Sequence, residues 1–147
     1  MSIYLGSDHA GFAYKERLKV FLEKKGFEVV DLGNKELDPH DDYPKYAKKV
    51  AQAVVKDGDD GRGILICGSG SGMCMAANKF KGIRAAAAMT VKVARHSRTD
   101  NGANILCLGQ SYLTLRLARK IVLAWLDTPS AHEPRHLRRI GQVNRLS

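Results

Sequence analysis

The sequence predicts an α/β fold built on an open, five-stranded parallel sheet with helices on both faces. Three observations carry that expectation. Short apolar runs alternate with amphipathic segments in a βαβαβαβαβα order. The separating segments are long enough to be helices that cross back over a sheet in the right-handed sense. The run GILIC at 63–67 has no polar face, as a strand covered on both sides requires.

Taken in order, the first strand is expected at 3–5, and the helix after it sets Leu18, Phe21 and Leu22 on one face before Gly26 stops it. Residues 27–32 read as the second strand. The polar segment 33–43 carries DPHDDYP and leads into a helix whose inner face is marked by Tyr46, Val50, Ala53 and Val54, ending near Gly58. Strand three is expected at 63–67, a helix at 73–80, strand four at 83–89 and strand five at 104–108. A long last helix over 114–126 buries Leu117, Ile121 and Trp125 and stops at Thr128-Pro129.

A chain of 147 residues fits one domain over 1–147, with a basic tail from about residue 130. Apolar residues at 44% and charged residues at 27% exclude collagen-like, coiled-coil and disordered classes. No stretch approaches the roughly 20 apolar residues of a membrane span, and MSIYLGSDHAG lacks a basic segment followed by an apolar one. A soluble, cytoplasmic protein without membrane contact is expected. Cys67, Cys74 and Cys107 are odd in number and lack CxxC spacing, which argues against a disulfide framework and against structural zinc. No metal site is expected either, since His40, His96 and His132 have no ligand-like spacing to partners; His136 stays open. The net charge is +9, and the tail beyond Pro134 holds four arginines and no acid. Without interleaved aromatics or a recognition signature this does not make a nucleic-acid surface. Arg135 and Arg139, four residues apart, suit a small anion such as a phosphate.

The strongest chemical feature is Cys67-Gly68-Ser69-Gly70-Ser71-Gly72. Alternate glycines let successive backbone N–H groups turn inward as an anion nest ahead of a helix. The third glycine falls one position early for a dinucleotide fingerprint, and no P-loop is present. Cys67, where strand meets nest, reads either as a thiol activated by those N–H groups or as one more small core residue. Cys74 and Cys107 read as core. Asp8-His9 and Asp42-Tyr43-Pro44 read as helix caps or as site residues, and Asp100-Asn101-Gly102 alone reads as a turn. Because such folds bind ligands at the carboxyl ends of their strands, SDHAG after strand one, CGSGSG after strand three and TDNGAN beside strand five are expected to gather there.

Five segments, GSDHAGF, DDYPKYA, ILICGSGSGMCMAANKFKGIRAA, NGANILCLGQ and PRHLRRI, occur in an order and spacing that resembles the sugar-phosphate isomerase family of ribose-5-phosphate isomerase B, which includes galactose 6-phosphate and allose 6-phosphate isomerases. The resemblance implies a three-layer α/β/α sandwich on a Rossmann-like sheet. It also implies a homodimer or tetramer whose sites are built from both chains, and aldose–ketose isomerisation of a sugar phosphate through an enediolate, without metal or organic cofactor. Ribose 5-phosphate and ribulose 5-phosphate are the expected pair; a hexose 6-phosphate, or a sugar-phosphate binder without chemistry, are the alternatives. By the same resemblance Cys67 is the base and Ser69 its hydroxyl assistant. A second branch of the family carries a glutamate base where this chain has Met73. The loop of Gly68, Gly70, Ser71 and Gly72 binds substrate, and its N–H groups with Asn101 stabilise the enediolate, at about 3–4 kcal/mol per donor. Asp8, His9 and Tyr43 contact the sugar, and Arg135 and Arg139 clamp the phosphate. Asp100 stands where family members commonly have a ring-opening histidine, and Ser111 where many have a phosphate-binding arginine.

Overall fold

The protein is described by a computed structural model covering residues 1–146. Its elements are β1 (Ser2–Ser7), a 3-10 turn at His9–Gly11, α1 (Phe12–Lys24), β2 (Glu28–Asp31), α2 (Tyr43–Asp57), β3 (Arg62–Cys67), α3 (Ser71–Ala77), β4 (Ala85–Ala87), α4 (Val91–Thr99), β5 (Ile105–Gly109), α5 (Leu115–Asp127) and α6 (Pro134–Asn144). Five parallel strands lie in the order β2-β1-β3-β5-β4, the expected α/β/α arrangement.

Strand periodicity divides the core into two layers. Ile64 and Ile66 of β3, with Leu106 and Leu108 of β5, pack against Leu18 and Leu22 of α1, Ala94 of α4 and Ile121 and Trp125 of α5. Leu65 and Cys67 of β3, with Ile105 and Cys107 of β5, face Tyr46, Val50 and Val54 of α2 and Met73 and Ala77 of α3. Each fully buried large side chain contributes about 1.5–3 kcal/mol. Buried Lys15 ties α1 to Asp31 at the end of β2 and donates to the Asn34 carbonyl at 3.0 Å, which anchors the start of the segment leading to α2. Among the described residues no helix is long and apolar enough to cross a membrane.

Several boundaries differ from expectation. In α2 the buried stripe runs Tyr46, Ala47, Val50, Ala51, Val54, while Ala53 lies at its side and is only partly buried. In α5 Ala118 and Val122 are buried where Leu117 is only partly so. Helix α3 begins at Ser71, two residues before the expected start, and β4 keeps only three residues of the expected seven-residue strand. The basic tail is a helix, α6, whose residues are all at least partly exposed.

One correction bears on function. Asp100 caps the carboxyl end of α4 and Asn101 precedes β5, so TDNGAN lies at the amino end of that strand, not at the carboxyl end with the other clusters. β3 and β5 run in register from Gly63–Ile105 to Cys67–Gly109. About 13 Å of strand, at ~3.3 Å per residue, therefore separates the two ends.

Candidate active site

The carboxyl end of β3 holds the first half of the site. Cys67 is the last residue of β3, only 5% exposed, and its sulfur faces the α2–α3 layer. The Gly70 N–H donates to Cys67 Sγ at 3.1 Å. Gly70 turns the chain at φ +81°, a conformation other residues adopt at a cost. Ser69 is exposed, and its Oγ accepts from the Ser71 N–H at 3.2 Å. The loop is held from above by the segment after β5: Gln110 N–H donates to the Cys67 carbonyl at 2.9 Å and Ser111 N–H to the Gly68 carbonyl at 3.0 Å. Ser111 thus sits beside the glycine loop, its own side chain uncharged. Met73 is fully buried in the α2–α3 layer.

Asp8, His9 and Tyr43 belong to the same end. Asp8 is 7% exposed and caps the 3-10 turn by accepting from the Gly11 N–H at 3.1 Å. Burial pushes its carboxyl up against the opposing pull of that hydrogen bond. His9 exposes 42% of its side chain and meets Asp41 twice, Nδ1 to Oδ1 at 2.8 Å and backbone N–H to Oδ1 at 2.9 Å. The hydrogen bond to Asp41 raises the His9 pKa. The Tyr43 ring lies on the glycine loop, so that a Cβ added to Gly72 would stand 2.8 Å from Tyr43 Cζ. Asp41 was not singled out from the sequence; its signal is the DDYP run, in which two adjacent acids precede a helix and only one is needed as a cap.

The second half lies at the other end of the sheet. Asp100 and Asn101 line a groove of about 680 Å³ together with His136, Arg139, Ile140 and Asn78. Thr99 Oγ1 donates to Asp100 Oδ1 at 2.9 Å, and His136 Nε2 lies 3.8 Å from the same oxygen. Arg135 points elsewhere, its Nε donating to Glu133 Oε2 at 3.0 Å with 61% of the side chain exposed. Among the described residues no three His, Cys, Asp or Glu side chains form a metal-holding group. Of the expected site residues, then, Cys67, Ser69, Gly68, Gly70, Ser71, Gly72, Asp8, His9 and Tyr43 share one end of the molecule. Asp100, Asn101 and Arg139 share the other, with Arg135 beside them on α6.

The arrangement can do acid–base chemistry on an anionic substrate: a thiol beside a backbone donor at one end, arginines and an amide side chain at the other. Known proteins share both the fold and the length. A crystal structure of ribose-5-phosphate isomerase B from Mycoplasma genitalium, with ribulose 5-phosphate bound, superposes with a TM-score of 0.94 at 43% identity, covering 98% of this chain and 94% of that one. Ribose-5-phosphate isomerase B of Escherichia coli is 41% identical over 144 residues, 98% of this chain and 95% of that protein. A D-erythrulose-4-phosphate isomerase of Pectobacterium atrosepticum is 39% identical over 127 residues, 86% of this chain and 83% of its own. The sequence model of ribose/galactose isomerases matches residues 3–143, a span that contains both halves of the site, and on that match this chain belongs to the ribose/galactose isomerase family.

Proposed function

We propose that this protein interconverts ribose 5-phosphate and ribulose 5-phosphate, as a dimer whose two chains complete each other's sites. The observation that supports the chemistry is Cys67: a nearly buried thiol at a strand's carboxyl end, with the Gly70 N–H aimed at its sulfur. That N–H holds the sulfur at the strand end, beside the glycine loop whose amides suit an anionic oxygen. Cys67 removes the proton from C2 of the open-chain aldose as the electrons move into the C1 carbonyl to give an enediolate, O2 gives up its proton and O1 gains one, and the Cys67 thiol returns a proton at C1 to leave the ketose. Ser69 and the loop N–H groups, with Asn101 of the second copy, stabilise the negative oxygens. Asp8, His9 and Tyr43 hold the sugar.

The dimer is supported by the separation of the halves. Asn101 and Arg139 stand at the amino end of β5 while Cys67 stands at the carboxyl end of β3, and a substrate of sugar-phosphate length cannot touch both within one chain. A two-fold-related partner brings each half onto the other. Arg135 and Arg139 then meet the phosphate, Arg135 after giving up its exposed pairing with Glu133, which is worth at most about 1 kcal/mol.

The test is turnover by the purified protein on ribose 5-phosphate, erythrulose 4-phosphate, allose 6-phosphate and galactose 6-phosphate, with Cys67→Ala alongside. The expected result is turnover of ribose 5-phosphate that Cys67→Ala abolishes while ligand affinity is kept. Reaction of another sugar alone would move the substrate assignment, and no reaction with any would overturn the enzyme reading.

A further inference from the structure

Three arginines gather at the amino end of the sheet, away from the glycine loop. Arg62 opens β3, Arg84 precedes β4 and Arg98 lies in the last turn of α4. Together they line a cavity of about 560 Å³ between the turn joining α2 to β3 and the inner side of α6. Arg98 is only 4% exposed, and Arg62 and Arg84 are partly buried. Among the described residues Asp59 is the one acid lining the cavity, and none of the three arginines forms an ion pair.

Each guanidinium donates instead to neutral oxygens. Arg62 Nη1 reaches the Asp59 and Gly61 carbonyls at 2.9 and 2.7 Å. Arg84 donates from Nε to the Gly102 carbonyl at 2.9 Å and from Nη1 to the Gly82 carbonyl at 3.4 Å and Asn144 Oδ1 at 3.1 Å. Arg98 donates from Nε to the Thr128 carbonyl at 3.2 Å and from Nη1 to the Ala103 carbonyl at 2.6 Å, and lies 5.5 Å from the centre of the Trp125 ring. In all three, Nη2 has no hydrogen-bond partner among the described residues. Carbonyl dipoles orient a guanidinium but bring no opposite charge, and a buried cation without one is costly. Burial holds the Arg98 pKa down to about 10, and repulsion from Arg62 and Arg84 adds to the effect. Burial also lowers Arg62 and Arg84, against the pull of Asp59 and, at Arg62, of Asp60.

We infer that this cavity is a second anion site, which takes a small phosphorylated compound carrying at least two negative charges. Three arginines against Asp59 leave two positive charges to be matched. The planar fork of a guanidinium meets the paired oxygens of a phosphate group, and the free Nη2 groups are the donors left to do so. Neither Arg135 nor Arg139 lines this cavity, so it is distinct from the clamp assigned to the substrate's phosphate. The inference is independent of the isomerase reading, because none of the three arginines belongs to the proposed chemistry.

The test is titration calorimetry of the full-length protein with inorganic pyrophosphate, carried out with Arg135→Gln and Arg139→Gln in place so that the substrate clamp does not contribute. Binding is expected to persist in that protein. Adding Arg62→Gln is expected to weaken it about tenfold, the scale of one lost hydrogen bond to a charged group, and Arg62→Lys, which keeps the charge and loses the fork, is expected to fall between. Amide NMR shifts locate the ligand without any substitution. In the unaltered protein the N–H signals of Gly58, Gly102 and Ala131, which line this cavity and not the groove of Asn101 and Arg139, are expected to move together as pyrophosphate is added. These shifts decide the matter should Arg62→Gln fail to fold. Loss of all binding with the clamp removed would overturn the proposal, as would an affinity that Arg62→Gln leaves unchanged. Shifts confined to the Gly68–Gly72 loop and to Arg135 and Arg139 would equally overturn it, by making the substrate clamp the anion site.

Discussion

His9 has its pKa raised chiefly by one neighbour, with Asp8 adding to the effect. Asp41 accepts from both its backbone N–H and its ring at 2.9 and 2.8 Å, and the ring bond is the main cause of the raised His9 pKa. The pair therefore stabilises the fold below the ordinary histidine pKa of about 6.5, and that contribution is lost as pH rises through the higher folded value. Asp41→Asn keeps an acceptor but removes the charge. Its His9 titration, followed by NMR, is expected to fall back toward the ordinary value, and its stability deficit in urea is expected to be larger at pH 6 than at pH 9. A second residue-scale expectation concerns Cys74, whose pKa is held down to about 7 by the hydrogen bond from Cys107, against the opposing effect of burial. Peptide mapping after brief iodoacetamide treatment should show Cys74 labelling rise through pH 7 while buried Cys107, whose pKa is pushed well up by its donation to Cys74 and by burial, stays unlabelled. Glycine spacing made the Cys67 loop legible in the sequence, because alternate residues without side chains have few uses but an inward-turned backbone. Asp41 and His136 were not legible, since each takes its meaning from a partner distant in sequence or in another element.

At the scale of elements, the close approach of β5 to the glycine loop shapes the site. A Cβ on Gly109 would lie 2.5 Å from the Ser69 carbonyl oxygen and 2.7 Å from its carbon. The loop cannot retreat without stretching the Gln110–Cys67 and Ser111–Gly68 hydrogen bonds of 2.9 and 3.0 Å. Gly109→Ala is expected to destabilise the protein by about 1–3 kcal/mol, the usual cost of overpacking, measured as a lower urea midpoint, and to reduce turnover more than it weakens substrate binding. An unchanged midpoint would mean the two segments move together more freely than their bonding implies. Strands β1, β3 and β5 were readable from apolar runs flanked by glycine or polar residues. The start of α3 was not, because Gly70 and Gly72 resemble loop residues; Gly72 is helical here and lacks a side chain where the Tyr43 ring lies. Helix α6 showed in the sequence only as a pair of arginines four apart. The position of TDNGAN was misread for a topological reason: a motif beside a strand lies at one sheet end or the other according to whether it precedes or follows that strand.

For the whole molecule, the separated halves make a prediction that a single chain cannot satisfy. If each site takes Cys67 from one copy and Asn101 from the other, then Cys67→Ala and Asn101→Ala proteins are each inactive yet defective in different halves. Mixed in equal amounts, unfolded and refolded together, they reassort so that about half of the dimers are hybrids of two-fold form. In each hybrid one site carries both substitutions and the other carries neither. Activity should return to about a quarter of the unaltered protein's, since half the dimers then carry one intact site of two. Recovery would place the two residues in opposite chains at one site. No recovery, with hybrids verified by native mass spectrometry, would mean that Cys67 and Asn101 act within one chain. The 13 Å of strand between the two ends would then have to be closed by a rearrangement of the region joining α4 to β5.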